Sequence, residues 1–201
     1  MQGEKQENFF VELLKFFIIA VVIVIPIRFW IAQPFIVSGA SMEPTFDTGQ
    51  YLIIDELTYH LSNPQRGDVI IFKYPLNTSE YFIKRIIGLP GETVEIRDGK
   101  VYVIGTDSIE KALPEPYIIN KGNGYNRTVT LKSDEYFVMG DNRPNSSDSR
   151  VWGPLPNSDI VGRALVRLLP FNSISTFPGR FHETLPADTT TTTRPIKTLS
   201  Q

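Results

Sequence analysis

The chain opens with one long hydrophobic run and continues with short ones. From Leu13 to Ala32 the sequence is almost wholly apolar, interrupted only by Lys15, Pro26 and Arg28. About 20 helical residues, each rising ~1.5 Å, span roughly 30 Å, the thickness of a hydrocarbon core. The run therefore predicts a transmembrane anchor at 13–32, preceded by a short cytoplasmic segment.

A cleaved signal peptide is the alternative to this anchor. It requires a shorter apolar core followed at once by small residues. Here the bulky residues Phe29 and Trp30 precede Ala32, and the small residues Ser38–Ala40 lie well past the core. These positions favour an uncleaved anchor. The basic residues around the run give only a weak orientation signal, with residues 1–12 inside and the large remainder outside.

After the anchor, the apolar runs are short and rich in β-branched and aromatic residues, which is typical of strands. Strands are predicted at Tyr51–Ile54, Val69–Phe72, Tyr81–Ile87, Thr93–Arg97, Lys100–Val103, Glu135–Met139 and Ile160–Leu169. The fourth and fifth flank Asp98-Gly99, a tight hairpin turn. No long amphipathic helix is evident after the anchor. The predicted fold class is therefore mainly β, an antiparallel sheet behind one transmembrane helix.

We expect one extracytoplasmic β domain at 33–182, with a smaller inserted subregion at about 98–132. Within it, Glu110–Gly124 is rich in Pro, Gly and Asn, which predicts a loop. Residues 183–201 include five consecutive threonines and almost no bulky apolar side chains. Such a segment buries too little surface to offset its ordering entropy, so we predict a disordered tail.

Composition argues against several classes of function. The formal net charge of −2 argues against a nucleic-acid partner, which usually requires a concentrated basic face. The absence of cysteine removes disulfides, thiolate metal sites and cysteine nucleophiles. The two histidines, His60 and His182, give little material for a metal site or a histidine base. We therefore expect neither a metal nor a cofactor.

Ser41 follows the apolar run closely, within the small-residue segment Ser38–Thr45. This segment is also what an ordinary turn looks like. Gly39-x-Ser41 begins like a nucleophile elbow, but Glu43 stands where that pattern needs glycine. A serine becomes a good nucleophile only when another group takes its proton.

Lys84 is a candidate for that proton acceptor. With a reference pKa near 10.4, roughly one lysine in a few thousand is neutral at pH 7, and burial lowers the pKa. Lys84 lies in the apolar run Tyr81–Ile87, and on a strand Phe82 and Ile86 share its face. The alternative is a strand lysine whose head group reaches water.

Besides Ser41 and Lys84, the sequence has a dense polar segment, Gly140–Arg150, which lies between two predicted strands. Its structural interpretation is a network of side-chain turns, with Asp141 or Asp148 paired to Arg143 or Arg150. Its functional interpretation is a set of residues that orient the base.

In chain order, these segments resemble the successive boxes of type I signal peptidases, the membrane-bound Ser-Lys proteases of bacteria and their organelles. The matching segments are Ser41-Met42-x-Pro44-Thr45, Gly67-Asp68-Val69, Lys84–Gly91 and Gly140–Arg150. The resemblance covers most of the chain from the anchor to about Leu169. It implies the antiparallel signal-peptidase (LexA-like) catalytic fold.

The resemblance also implies roles for individual residues. Ser41 matches the nucleophile and Lys84 the general base, and Ser146 matches a serine whose hydroxyl helps orient the lysine. Asp148 and Arg150 match a supporting ion pair, and Asp141 matches a structural carboxylate. The residues that match the lining of the substrate cleft are Met42, Phe82 and Ile83.

The sequence departs from the family pattern beside the nucleophile. Some members carry a serine two positions before it, whose hydroxyl joins the oxyanion hole, but Gly39 stands here and Ser38 lies one position farther away. The backbone N–H of Ser41 is then the expected donor. This spacing resembles the short, single-anchor Gram-positive-type branch. Pro144 also replaces an acidic residue common in the loop.

The activity implied by the resemblance is removal of signal peptides from exported preproteins through an acyl-enzyme, with small residues at −1 and −3. The expected partners are signal-peptide-bearing preproteins and membrane lipid, and the expected state is a monomer in the cytoplasmic membrane. Two alternatives remain. A self-cleaving Ser-Lys repressor peptidase would need a DNA-binding domain where the anchor lies. A catalytically inactive, membrane-tethered β module would bind extended peptides without cutting them.

Overall fold

The computed structural model describes residues 9–26, 32–120, 122 and 126–181. It begins with helix α1, Phe9–Pro26. No helix in this part of the chain combines the length and the apolar character needed to cross a membrane. The predicted anchor at 13–32 includes residues 27–31, and the predicted tail begins at residue 183, so both predictions extend outside the described residues.

The described part of the chain after α1 is mainly strand. The strands are β1 Ala32–Ile36, β2 Tyr51–Asp55, β3 Val69–Tyr74, β4 Asn77–Gly88, β5 Thr93–Arg97, β6 Lys100–Ile104, β7 Glu110–Ala112, β8 Arg127–Thr130, β9 Glu135–Met139, β10 Leu155–Pro156, β11 Ile160–Leu169 and β12 Ser175–Thr176. Two helices of one turn each, α2 Thr58–Leu61 and α3 Ser149–Trp152, lie between strands. Every strand predicted from the apolar runs is confirmed, and so is the mainly antiparallel fold class.

The strands form two antiparallel sheets. The larger has the order β1-β2-β11-β3-β4-β9-β10, with β12 also paired to β11, and the smaller has the order β7-β6-β5-β8. The smaller sheet is made from the chain between β4 and β9, which are neighbours in the larger sheet. The segment predicted as a loop from Glu110 onward therefore begins with a strand, because β7 pairs with β6 at the edge of the smaller sheet.

The larger sheet is buried on both faces along β3. Val69 and Ile71 pack in one core cluster, and Ile70 and Phe72 pack in a second cluster on the opposite face. Side chains alternate between the two faces of a strand, so a strand covered on both sides reads as a continuous apolar run. A third cluster joins the two sheets, with Phe137 among its fully buried members.

Strand β4 changes its pairing halfway along. It pairs with β3 from Asn77 to Arg85, but with β9 only from Arg85 to Gly88. On the β9 side, residues 77–84 therefore have no strand partner among the described residues. We call this segment the open edge of β4. Lys84 is its last residue and lies opposite Ile70 of β3.

Candidate active site

Lys84 and Ser41 meet beside the open edge of β4. Lys84 Nζ donates hydrogen bonds to Ser41 Oγ at 2.8 Å and to the carbonyl oxygen of Ile83 at 2.9 Å. Lys84 is 4% exposed. The geometry is that of a serine hydroxyl within direct proton-transfer distance of an amine.

Burial lowers the pKa of Lys84 to about 8, because the ammonium form loses its hydration. The charges of Asp148 and Asp141 oppose this effect and raise the pKa, while Arg150 lowers it. The ring of Phe82 lies 5.2 Å from Nζ and supplies part of the apolar surroundings. At pH 7, roughly one such amine in ten is neutral, which is several hundred times the fraction for a lysine in water.

The turn that carries Ser41 is fastened on both sides. Before it, Gly39 exchanges two hydrogen bonds with the Thr48 hydroxyl, at 3.1 and 3.2 Å. After it, Met42 and Phe46 are 1% and 0% exposed and pack in the core beneath the turn. Met42, which the family resemblance assigned to the substrate cleft, thus lies in the core and anchors the serine turn from below.

The loop Gly140–Arg150, called here the polar loop, contacts this turn directly. The N–H of Asn142 donates to the carbonyl oxygen of Ser41 at 3.0 Å, and its side-chain amide donates to Ala40 at 2.9 Å. A Cβ at Gly140 would lie less than 3.0 Å from both the carbonyl oxygen of Ser41 and the Ser146 hydroxyl. The absence of a side chain there allows the polar loop to approach the serine turn.

Asp148 organises the polar loop. Its carboxylate accepts hydrogen bonds from the Ser146 hydroxyl at 2.7 Å, from the N–H of Gly140 at 3.0 Å and from Arg150 Nε at 2.8 Å. The side chains of Asp148 and Arg150 are 0% and 5% exposed. The Ser146 hydroxyl therefore donates to Asp148, and none of the hydrogen bonds between described residues joins it to Lys84.

Asp141 pairs with Arg85, the residue next to Lys84. Arg85 Nε and Nη2 donate to the two carboxylate oxygens at 2.8 and 2.6 Å, and both side chains are 0% exposed. Arg143 pairs with neither aspartate, because its guanidinium instead contacts Glu115 of the β7–β8 loop. The sequence had left Arg143 and Arg150 as the candidate partners of Asp141.

A groove of about 430 Å³ lies between the serine turn and the open edge of β4. Phe35–Ser41 form one wall, and Tyr81–Lys84 form the other. Phe82 and Ile83, which the resemblance assigns to the substrate cleft, both line this groove. The rings of Phe35 and Tyr81 meet edge to face across it, with centroids 5.5 Å apart.

The backbone beside Ser41 suits a developing negative charge. None of the hydrogen bonds between described residues uses the N–H of Ser41 as a donor, so this group is available to a bound oxyanion. Ser38 is exposed, and Gly39 has φ +92°, a backbone conformation that favours glycine. Among the described residues, no group of three His, Asp or Glu side chains is arranged to hold a metal ion.

Three residues that support the site were not predicted from the sequence. Arg85 holds Asp141, Asn142 holds the serine turn, and Glu115 holds Arg143. Arg85 carried a signal that could have been used. It lies in a strand that is apolar on both faces, where a charge is stable only beside an opposite charge. Asn142 and Glu115 carry no comparable signal, because each lies in a polar stretch that predicts a loop, where polar side chains are common.

Comparison with known proteins places the chain in a family. Residues 10–169 match the family described as signal peptidase, peptidase S26. A probable signal peptidase I-1 of Synechocystis sp. is 38% identical over 170 residues, which cover 81% of this chain and 84% of that protein. Signal peptidase I T of Bacillus subtilis is 35% identical over 183 residues, covering 86% of this chain and 92% of that protein.

A solved structure of a signal peptidase I from Enterococcus faecalis V583 is 36% identical in sequence and superimposes with a TM-score of 0.44. The match covers 51% of this chain and 97% of the chain in that structure. The family match and the curated relatives extend over most of the chain. The chain therefore belongs to the signal peptidases of peptidase family S26, serine endopeptidases that cleave signal peptides.

Proposed function

We propose that this peptidase works by a Ser-Lys mechanism, with Ser41 as nucleophile and Lys84 as general base, at the outer face of a membrane. The observation that carries the proposal is the contact of 2.8 Å between the buried Lys84 amine and the Ser41 hydroxyl. Burial lowers the pKa of Lys84 to about 8, so its neutral form is accessible near neutral pH.

In the first step, neutral Lys84 takes the proton of Ser41 while Oγ attacks the scissile carbonyl carbon. The carbonyl oxygen becomes an oxyanion, and the N–H of Ser41 donates to it. Lys84 then gives the proton to the leaving amine as the C–N bond breaks, which leaves an ester on Ser41. Lys84 Nζ donates another hydrogen to the carbonyl oxygen of Ile83, with 2.9 Å between nitrogen and oxygen. This bond helps to direct the lone pair of Nζ toward Ser41.

In the second step, Lys84 takes a proton from a water molecule, and the resulting hydroxide attacks the ester carbon. The proton returns to Ser41 Oγ as the ester bond breaks, and the mature protein and the signal peptide have then both left the enzyme. Asp148 and Asp141 stabilise the ammonium form that exists between proton transfers, because their charges raise the pKa of Lys84.

The substrate would lie extended in the groove and pair with the open edge of β4. An unpaired strand edge presents N–H and C=O groups to which a peptide can add as a further strand. Side chains at −1 and −3 of an extended peptide point to the same side. Large side chains such as Phe35 and Ile83 line the groove, which favours small residues at both positions.

Membrane anchoring through residues 13–32 would hold this groove near the lipid surface, with the domain at 33–182 on the extracytoplasmic side. The apolar sequence of the run supports this proposal, as does the exposure of apolar side chains on α1, such as Phe10 at 80% and Phe16 at 72%. Membrane lipid would then be a partner, and one copy of the chain would suffice for cleavage. If alkaline carbonate extracts the full chain from membranes, the proposal of an anchor at residues 13–32 is wrong.

The test of the mechanism is cleavage of a purified preprotein by the full chain in detergent, followed by N-terminal sequencing of the product. We expect Ser41→Ala and Lys84→Ala to abolish cleavage. Matched controls are Ser133→Ala and Lys73→Ala, which make the same changes at exposed positions outside the open edge of β4 and should leave cleavage intact. Processing by either Ser41→Ala or Lys84→Ala would refute the proposed roles.

A second measurement separates the enzyme from an inactive peptide-binding module. A β-lactam-like acylating inhibitor should form a covalent adduct with the wild-type chain and with Ser133→Ala, but not with Ser41→Ala. Mass spectrometry of the intact chain detects the adduct. A module without catalytic function would bind peptides but show no adduct at Ser41.

A further inference from the structure

The loop between β7 and β8 contacts the polar loop through a buried ion pair. The Glu115 carboxylate accepts hydrogen bonds from both terminal nitrogens of Arg143, from Nη1 at 3.3 Å and also from Nη2. The two side chains are 5% and 2% exposed. A carboxylate of the smaller-sheet insertion thus neutralises a buried arginine of the candidate active site.

Tyr117, two residues farther along, covers a second buried arginine. Its ring lies over the guanidinium of Arg85, with Cζ 3.9 Å from the ring centroid. Its hydroxyl donates a long hydrogen bond of 3.5 Å to the Glu115 carboxylate. Burial, with a smaller contribution from the Glu115 charge, raises the pKa of Tyr117 and keeps it protonated.

Each of these arginines is one contact away from the Ser41–Lys84 pair. Arg143 Nε donates to the carbonyl oxygen of Gly140 at 3.0 Å, and Gly140 is the residue that packs against the backbone of Ser41. Arg85 holds Asp141, whose charge acts on Lys84. Glu115 therefore supports the part of the polar loop that covers the reacting groups.

Loss of the Glu115 charge would leave Arg143 buried without a counter-charge. A buried guanidinium in that state is strongly unfavourable, and it is relieved when the arginine turns toward water. That movement would release Gly140 and open the polar loop. Water would then reach Lys84, whose pKa depends mainly on burial, with smaller contributions from Asp148, Asp141 and Arg150.

We propose that Glu115 is a positioning residue for the reaction: through Arg143 it keeps the polar loop closed over the Ser41–Lys84 pair. The inference rests on the proposed catalytic roles of Ser41 and Lys84. It assigns to the smaller sheet a part in catalysis, because this sheet carries the loop that supplies the carboxylate.

The test is the pH dependence of kcat/KM for preprotein cleavage by Glu115→Gln in the full chain. We expect the acidic limb of the profile to move to higher pH by about half a unit or more, because a more hydrated lysine binds its proton more tightly. At pH 7, kcat should fall at least about threefold, which is the loss of neutral lysine that such a shift produces, while KM changes less than about twofold, because neither of the two main walls of the groove belongs to the polar loop. Glu110→Gln is the matched control, since Glu110 forms an exposed ion pair with Arg97, and its profile should equal that of the wild type.

The action through Arg143 has its own check. If Glu115 acts through this arginine, Glu115→Gln combined with Arg143→Gln should be no slower than Arg143→Gln alone. Additive losses would overturn the proposed route. Should Glu115→Gln fail to fold, Glu115→Asp retains the charge at a shorter reach, and a smaller shift in the same direction is expected from it.

An unshifted pH profile in a folded Glu115 variant, with only its thermal stability reduced, would overturn the inference and leave a purely structural role. Failure of the underlying mechanism gives a different result, because Lys84→Ala would then still cleave the preprotein in the same assay. The two failures are therefore distinguishable.

Discussion

Lys84 Nζ lies 2.8 Å from Ser41 Oγ, although 43 positions separate the two residues along the chain. The contact exists because the serine turn follows β1, at one end of the strand order, yet lies over the open edge of β4. The polar loop after β9 closes the remaining side. Three separate parts of the larger sheet thus enclose one amine, and this enclosure gives Lys84 its low pKa.

The first prediction concerns the pH dependence of cleavage. Since the pKa of Lys84 is lowered to about 8, kcat/KM should rise about tenfold per pH unit below pH 8 and level off above it. The rise reflects conversion of the ammonium to the neutral base. Initial rates with a preprotein between pH 5.5 and pH 9.5, at constant ionic strength, give the profile. A rate independent of pH between about 6 and 9 would contradict Lys84 as the base.

The second prediction concerns stability, because the same burial that lowers the pKa of Lys84 destabilises the fold. Its pKa is about 8 in the folded chain, below the ordinary value of 10.5, so the unfolded chain binds this proton more tightly. The resulting decrease in the free energy of unfolding has its full size below pH 8 and disappears as the pH rises through 10.5. Its magnitude at neutral pH is about 3 kcal/mol.

Lys84→Met should therefore raise the free energy of unfolding at pH 6 and raise it much less at pH 10.5. Urea unfolding followed by tryptophan fluorescence at the two pH values measures the difference. Lys73→Met is the control, since this exposed lysine should give no pH-dependent gain. An equal effect of the two substitutions would show that Lys84 carries no burial penalty.

The strands that could be predicted from the sequence are those with strong apolar patterns. β3 is apolar on both faces and β11 is long, and both were found at close to their true bounds. β10 and β12 have two residues each, and β7 is an exposed three-residue edge strand, so none has a pattern to detect. Their pairing is fixed by neighbouring strands, and the local sequence does not encode it.

The candidate site shows the same limit at the level of single residues. Ser41 and Lys84 could be proposed from chemistry and family resemblance, yet their contact depends on the order of the sheet. The partner of Asp141 was sought among the nearest arginines, but Arg85 lies 56 positions earlier. Glu115 was missed because it lies in a polar stretch that predicts a loop, where polar side chains are common. Buried charges reveal that a partner must exist, while the fold decides which partner it is.

The third prediction concerns the buried pair of Arg85 and Asp141. Asp141→Asn would leave the guanidinium buried with its charge uncompensated, which costs about 3–5 kcal/mol in comparable cases. The midpoint of urea unfolding should fall accordingly. Glu110→Gln, which removes a carboxylate from the exposed pair with Arg97, should change the midpoint little. Similar midpoints for the two variants would mean that Arg85 finds another partner or reaches water.

The fourth prediction concerns Gly140, where the polar loop touches the serine turn. In Gly140→Ala, the new methyl group would lie less than 3.0 Å from the carbonyl oxygen of Ser41 and from the Ser146 hydroxyl. The hydroxyl can rotate away, but the Ser146 Cβ, at 2.6 Å, and the Ser41 carbonyl oxygen are fixed to the backbone and move only with it. A displacement of about 1 Å between reacting groups can reduce a rate about 100-fold, so we expect a loss of that size in single-turnover acylation.

Gly105→Ala is the matched control for this change. Gly105 lies in the turn after β6, where the new methyl group would approach only the movable carboxylate end of Asp107. Binding of an uncleavable peptide should be similar in both variants, because the walls formed by Phe35 and Ile83 stay in place. A Gly140→Ala enzyme that acylates at the wild-type rate would show that the serine turn can shift without loss of its alignment with Lys84. The closeness of the two backbones would then serve stability alone.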